Sequence, residues 1–576
     1  MTTLLAAAEV KLDGQALEPG VAARVLEVRV ELQSRLPARC TVRIADPQLE
    51  LVDTDSFPLG GELEVLMAAP GATTPASVFK GQVATLEPEF DRHEALLVVR
   101  AYDRAHRLTR TRRTDTFQQM SYSDIARSLA GRCSLTAGTI DGAGAALPFF
   151  QQSNETDWEL LWRMADEVGF EVYVQDRALN FRKAGTTSGS AVALTWGENL
   201  LELRPRVTGV QQADSVEVRG WDPRTKEPIV ATATPATTAA SIGIERSAAS
   251  DALGGGKVVI ADVPVQTDAH ATKLAESVAA QLADAFVEAD GVAIGDPQLK
   301  PNRTIDVEGV GERFGGSYTL TSVTHVVRAG RGYETRFAVT GHTSRSLLDL
   351  ASSQQRQPWG HAVVVGLVTN NQDPDALGRV RVSYPTLGSD HEGWWARVTA
   401  PAAGTKRGVL MLPQVGDEVL LAFEHGDVEH PYVLGSVWNG TAKPDTLVHQ
   451  DGSFALRSDK KVAIEAAEDV TVDGDKTLKL SSAGTATITT NERSGDGPPG
   501  DVVVDAKGKG SFKTGAGELA LDGATEVKVT GKSAVKLSAG AVQVSIEVAE
   551  VKISGARITI SGTAMVQISG PQIMLG

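Results

Sequence analysis

Residues 533–576 read SAVKLSAGAVQVSIEVAEVKISGARITISGTAMVQISGPQIMLG, and their periodicity suits few folds. Apolar doublets split by one residue recur as Val535 and Leu537, Val542 and Val544, Val551 and Ile553, Ile558 and Ile560, Val566 and Ile568, with Ile573 opening one more. Glycines punctuate the gaps at Gly523, Gly531, Gly540, Gly555, Gly562 and Gly570, where a turn needs a residue tolerant of positive φ. Alternation inside each doublet predicts a strand of a few residues with one apolar face, and this period excludes a helix. Such strands do not close a core alone. Full burial of an aliphatic side chain contributes roughly 1.5–3 kcal/mol, while ordering the backbone costs about 1–2 kcal/mol for every residue. A single-chain solenoid generally needs more residues per coil than this step supplies. Three copies wound about one axis turn every apolar position inward and close every sheet edge. The reading is therefore a homotrimeric β-helical needle with Val535, Leu537, Val542, Val544, Val551, Ile553, Ile558, Ile560, Val566 and Ile568 as its core.

The same beat runs upstream, in Val462 and Ile464, Val470 and Val472, Leu478 and Leu480, Leu519 and Leu521, and Val527 and Val529. Residues 491–500, with Pro498 and Pro499, interrupt it and predict a bulge or outward loop. Residues 361–440 hold five short apolar runs, at 362–368, 378–382, 395–398, 419–423 and 432–437, enough for a small closed Greek-key barrel of the OB type. From 10 to 99 short alternating runs predict a first β-barrel, and a second β region spans 200–340. Helices are expected at 122–130, at 154–168 with Asn154 as cap and Gly169 as stop, and at 268–289. The domain reading is a hub of two β-barrels with inserted helices over 1–350, a linker at 351–360, an OB-fold collar at 361–440 and the needle at 441–576.

The fold class is mainly β, in keeping with 5% aromatic residues and 57 glycines. A net charge of -16 argues against nucleic acid as a partner, because no basic stripe is present to displace counterions from phosphates. The local cluster Arg104, Arg107, Arg110, Arg112 and Arg113 reads as a solvated or subunit-facing surface. Cys40 and Cys133 fit no metal or redox spacing and read as small buried residues of a protein made in a reducing compartment. Residues 4–10 are too short for a membrane span and lack the basic lead of a secretion signal.

The collar residues Asp373, Pro374, Leu377, Gly378, Arg379, Val380 and Val382, then Trp394, Trp395, Arg397 and Val398, then Pro413, Gly416, Asp417, Glu418 and Val419, form one set. With Phe423, Gly426, Asp427, Pro431, Gly435 and Asn439, this set resembles the central spike proteins of contractile injection machines, the VgrG proteins and their tailed-phage hub and spike relatives. Residues 154–169, 220–223 with Lys226, and 302–325 extend the resemblance through the hub. It implies that the hub docks on the inner tube beside the baseplate proteins and that the collar carries a needle fired at a target membrane. It further implies a conical PAAR-type tip protein on the needle's end, here Ile573, Met574, Leu575 and Gly576, with effector cargo as a further partner. No His follows His449 and no Cys follows Cys133, so a self-made His-x-His metal apex is not expected and a separate tip is. The resemblance also implies synthesis in the bacterial cytoplasm, assembly into a contractile particle, and delivery outside the cell or into a target.

The densest ionisable cluster, Glu424, His425, Asp427, Glu429 and His430, offers metal-ligand types, but its simpler reading is a polar turn between two barrel strands. No HExxH, GxSxG or P-loop pattern occurs, and Trp158 and Trp162 have the spacing of a helix core. No enzyme activity, catalytic residue, metal site or cofactor is expected. A trimeric receptor-binding or polysaccharide-acting tail fibre is the alternative reading. It predicts an aromatic groove, yet beyond residue 450 the aromatics are Phe454 and Phe512.

Overall fold

The computed structural model describes residues 7–340, 362–444 and 454–574, apart from 93, 186–188, 211, 237–239, 387–391, 406, 467, 489–501, 516–518, 524, 562 and 564. The linker 351–360, the interruption 491–500, Leu575 and Gly576 lie outside the described residues. The chain divides into two units, Met1–Phe454 and Ala455–Gly576.

Period-two patterning builds the hub. In Val25–Gln33 the residues Val28 and Val30 point inward between charged neighbours, and Arg39–Ala45 buries Cys40, Val42 and Ile44 in the same rhythm. Cross-strand register sets Val30 against Cys40 and Val28 against Val42, so the inward faces coincide. The two halves of the hub, expected as separate barrels, share one eleven-stranded sheet. Strand Val25–Gln33 pairs with Ser322–Arg328, His325 lying opposite Val30. Each half keeps its own core, one around Ile44, Leu63, Val65 and Val99 and the other around Phe286, Leu299, Ile305 and Tyr318. Pairing between strands about three hundred residues apart leaves no mark in local periodicity, which is why the sheet was not foreseen.

His325 is fully buried at this join, its Nδ1 2.8 Å from the Tyr333 hydroxyl and 3.3 Å from Thr335 Oγ1. Burial pushes its pKa down to about 3. A histidine held neutral in the fold contributes stability that is complete above its unfolded value near 6.5 and is lost as pH falls toward about 3, at about 1.4 kcal/mol per unit. The hub's melting temperature is therefore expected to fall steeply from near-neutral to mildly acid pH. The slope should flatten in His325→Gln, and an equal slope in that variant would show that other groups set it.

Two helices share a core cluster of their own. Tyr122–Arg132 starts with a capping box formed by Ser121 and Asp124. Asp157–Val168 starts with another: Thr156 Oγ1 accepts from Glu159 N at 3.2 Å, and Thr156 N donates to Glu159 Oε2 at 2.9 Å. The cap is thus Thr156, not Asn154, which lies inside the strand Leu147–Thr156, at φ 49 where its register shifts. The Thr-x-x-Glu spacing was legible. Gly169 closes the helix at φ 70, as expected. Asp268–Asp284 stops short of the expected 289, because Val287–Ile294 joins the large sheet between Leu200–Val207 and Gly332–Val339. Trp158 and Trp162 are core residues, and Arg35 fastens them: its carbonyl accepts from Trp158 Nε1 at 3.0 Å, and its guanidinium lies 4.3 Å from the Trp162 ring centroid. Cys40 is buried, Cys133 is half-buried, and both are free.

The five expected collar runs form a closed barrel of Val364–Asn370, Arg379–Ser383, Glu392–Val398, Pro431–Ser436 and Glu418–Phe423 in spatial order. Val368, Val380, Val382, Tyr384, Ala396, Val419, Leu421 and Val433 fill it. The turn ahead of Arg379–Ser383 is tied by one carboxylate. Asp373 Oδ2 accepts from Leu377 N at 2.9 Å, Arg379 N at 3.1 Å and Arg379 Nε at 3.0 Å, and Oδ1 accepts from Arg379 Nη2 at 2.6 Å. Gly378, at φ 71, supplies the left-handed step that this loop requires.

Candidate functional site

The unit Ala455–Gly576 is described by itself. Ala534–Ala539, Val542–Glu547 and Val551–Ser554 form an antiparallel meander that turns at Gly540, φ 59. Register sets Leu537, Val544 and Ile553 in one row and Val535, Ile546 and Val551 in another, with Val542 opposite Ala539. Because cross-strand partners share a face, these side chains line one side of the sheet, and Lys536, Ser545, Gln543 and Lys552 line the other. Lys536 Nζ and Glu547 Oε1 meet there at 3.4 Å. The apolar side is uncovered in the single chain: Leu537 is 63% and Val551 66% exposed, while Val535 and Val544 are half-buried. Ile546 was missed, although Val542 and Val544 already announced its period. Ile558, Ile560, Val566 and Ile568 are also exposed and belong to no strand among the described residues. Ile573 and Met574 at the described end are exposed, Met574 by 84%.

A second concentration of chemistry lies where the collar meets the hub. The Trp394 ring stacks on Phe149 of strand Leu147–Thr156, centroids 5.2 Å apart and planes at 22°. Two residues on, Gln151 N donates to Glu429 Oε1 at 2.9 Å. The same carboxylate oxygen lies 3.8 Å from Arg163 Nη1, and Arg163 Nη2 reaches Glu155 Oε1 at 2.7 Å and the Gln151 carbonyl at 2.6 Å. Burial works against the Arg163 charge, but Glu155 and Glu429 hold its proton more firmly than usual. Burial, then Asp427, pushes Glu429 well above the usual carboxylate range. Burial likewise raises Glu167, which accepts from the Tyr122 hydroxyl. Asp427 goes the other way: burial opposes its charge, and His430, whose Nδ1 is 3.0 Å from Oδ2, more than offsets this.

The turn read as a polar connection therefore also joins two domains. Its sequence carried the charges but not their distant partners. Among the described residues no group of three or more His, Cys, Asp or Glu side chains is placed to hold a metal ion. The arginine cluster is drawn into pairs within the chain rather than left wholly to solvent. Arg104 is buried with Nη2 2.9 Å from Glu62, and Arg112 Nη2 is 3.0 Å from Glu159.

Comparison with known families follows this division of the chain. Residues 2–329, more than half of the protein, match the family described as Alg8 N-terminal domain. The chain belongs to this family. Residues 364–438, the closed barrel, match the type VI secretion system/phage-baseplate injector OB domain. A type VI secretion system spike protein, VgrG4b of Pseudomonas aeruginosa, is 29% identical over 203 residues, 34% of this chain and 23% of that protein. The actin cross-linking toxin VgrG1 of Vibrio cholerae is 30% identical over 103 residues, 17% of this chain and 9% of that protein. The matches thus span well under half of these relatives' own lengths. Among solved structures, an Escherichia coli component of the type VI secretion system superposes with a TM-score of 0.47 at 16% identity, covering 74% of this chain and all of that one. In its closed barrel and in these matched stretches the chain is similar to the VgrG spike proteins of type VI secretion systems.

Proposed function

We propose that the protein is the homotrimeric central spike and baseplate hub of a contractile injection machine, joining the tube through residues 1–350 to a membrane-puncturing needle. The observation that carries this reading is the apolar face of the 534–554 meander, uncovered in one chain and polar on its reverse. Soluble chains do not leave a face of this kind, continued by Ile558, Ile560, Val566 and Ile568, without a partner to cover it. Two further copies supply the walls, and the outer strands' open edges are consumed in the same step. The function is mechanical: closed strands around an aliphatic column resist bending, so sheath contraction passes along the axis to the tip. Ile573 and Met574, with Leu575 and Gly576 after them, are proposed as the platform for a PAAR-type tip protein. The inner tube, the baseplate proteins, effector cargo and the target membrane complete the partners, and the spike is delivered outside the cell or into a target.

In sedimentation velocity the full chain is expected to run as a trimer at micromolar concentration. A folded monomer would remove the basis for the needle. Glycan binding or hydrolysis by the tail would instead move the protein to the fibre class.

A further inference from the structure

The hub–collar contact gathers four carboxyl groups around one guanidinium. Glu155 and Glu167 belong to the hub, Asp427 and Glu429 to the collar turn, and Arg163 lies among them. The other ionisable groups that face the cluster are few. His270, from helix Asp268–Asp284, has Nε2 3.8 Å from Glu167, and His430 sits on Asp427. Tyr122 donates to Glu167, and Tyr384, inside the barrel, faces Asp427 and Glu429.

We propose that the turn holding Asp427 and Glu429 is a proton-operated latch, closed on the hub while the cluster carries an extra proton and released as that proton leaves. When fully ionised, the cluster sets two negative hub groups against two negative collar groups across a half-buried junction, with Arg163 alone between them. Repulsion across that divide acts directly to separate the domains. With one proton retained, a neutral Glu429 still accepts from the Gln151 amide, and Arg163 is left to balance Glu155.

The sign follows from linkage. Glu429 and Glu167 have raised pKa values in the closed form, burial being the first cause, and return to ordinary values once released. The closed form therefore binds more protons, is favoured at low pH, and is lost as pH rises through the raised values. Asp427 acts oppositely, but its lowered pKa places that effect in acid. The inference concerns contacts within one chain and stands whether or not the needle is trimeric.

Hydrogen exchange of the full chain, corrected for the intrinsic chemical rate, tests this. Peptides covering 147–153 and 424–433 are expected to exchange about tenfold faster near pH 9 than near pH 6, as loss of one strongly held proton requires. Barrel strand Arg379–Ser383 should not change. Glu429→Gln keeps an acceptor for Gln151 but does not ionise, and should remove most of the pH response. Glu167→Gln should reduce it and carries the test if the first variant misfolds. An unchanged wild-type rate, an equal rise in the barrel strand, or a full response in both variants overturns the latch.

Discussion

Val544→Asp is expected to abolish the trimer. Val544 occupies the middle of the meander, opposite Leu537 on one side and Ile553 on the other, so in the proposed column three carboxylates would meet at one level. Each buried ion costs several kcal/mol even after relaxation, and like charges add to that. Sedimentation velocity should show monomer, and Ile553→Asp should do the same. Ser538→Asp, on the polar side of the same strands, is the matched control and should remain trimeric. If both faces tolerated the charge equally, the apolar side would not be the one that three chains share.

The second large effect is expected from Asp373→Ala. The carboxylate is nearly enclosed, with its side chain 4% exposed and that of Arg379 15%. Removing one partner of such a pair costs about 3–5 kcal/mol, offset in part here by the exposed carboxylate of Asp375, which also meets Arg379 Nη2. Leu377 and Arg379 also lose their backbone acceptor. Exchange protection of Arg379–Ser383 in the full chain should collapse, while the hub strand Arg39–Ala45 should keep its own. Burial pushes the Asp373 pKa up, but donors from Arg379 more than offset it and bring the value down to about 2. The collar's stability is therefore complete above the unfolded carboxylate range, near 4, and is lost as pH falls toward about 2. Protection unchanged by the substitution would show that the turn is held elsewhere.

Local pattern and tertiary partnership divide the account of this molecule. The barrel strands, Gly169 as a helix stop, Trp158 and Trp162 as core, and the apolar face of the meander all rest on period and turn chemistry within about a dozen residues. Their positions in the sequence therefore announced them. Thr156 as cap belongs to the same class, since its partner Glu159 is three residues away. By contrast, the pairing of His325 with Val30, the stack of Trp394 on Phe149 and the reach of Glu429 to Gln151 and Arg163 join segments hundreds of residues apart. Side-chain type alone made Glu429 one acid in a polar turn. Which acid becomes buried, and which arginine it meets, depends on how the finished domains abut. The sequence by itself determined where strands form and which of their faces are apolar, because side-chain alternation is a property of neighbours along the chain. Only the tertiary structure decided that the hub's halves share one sheet and that the collar is fastened through a proton-holding cluster, because desolvation and charge pairing exist only once distant surfaces have come together.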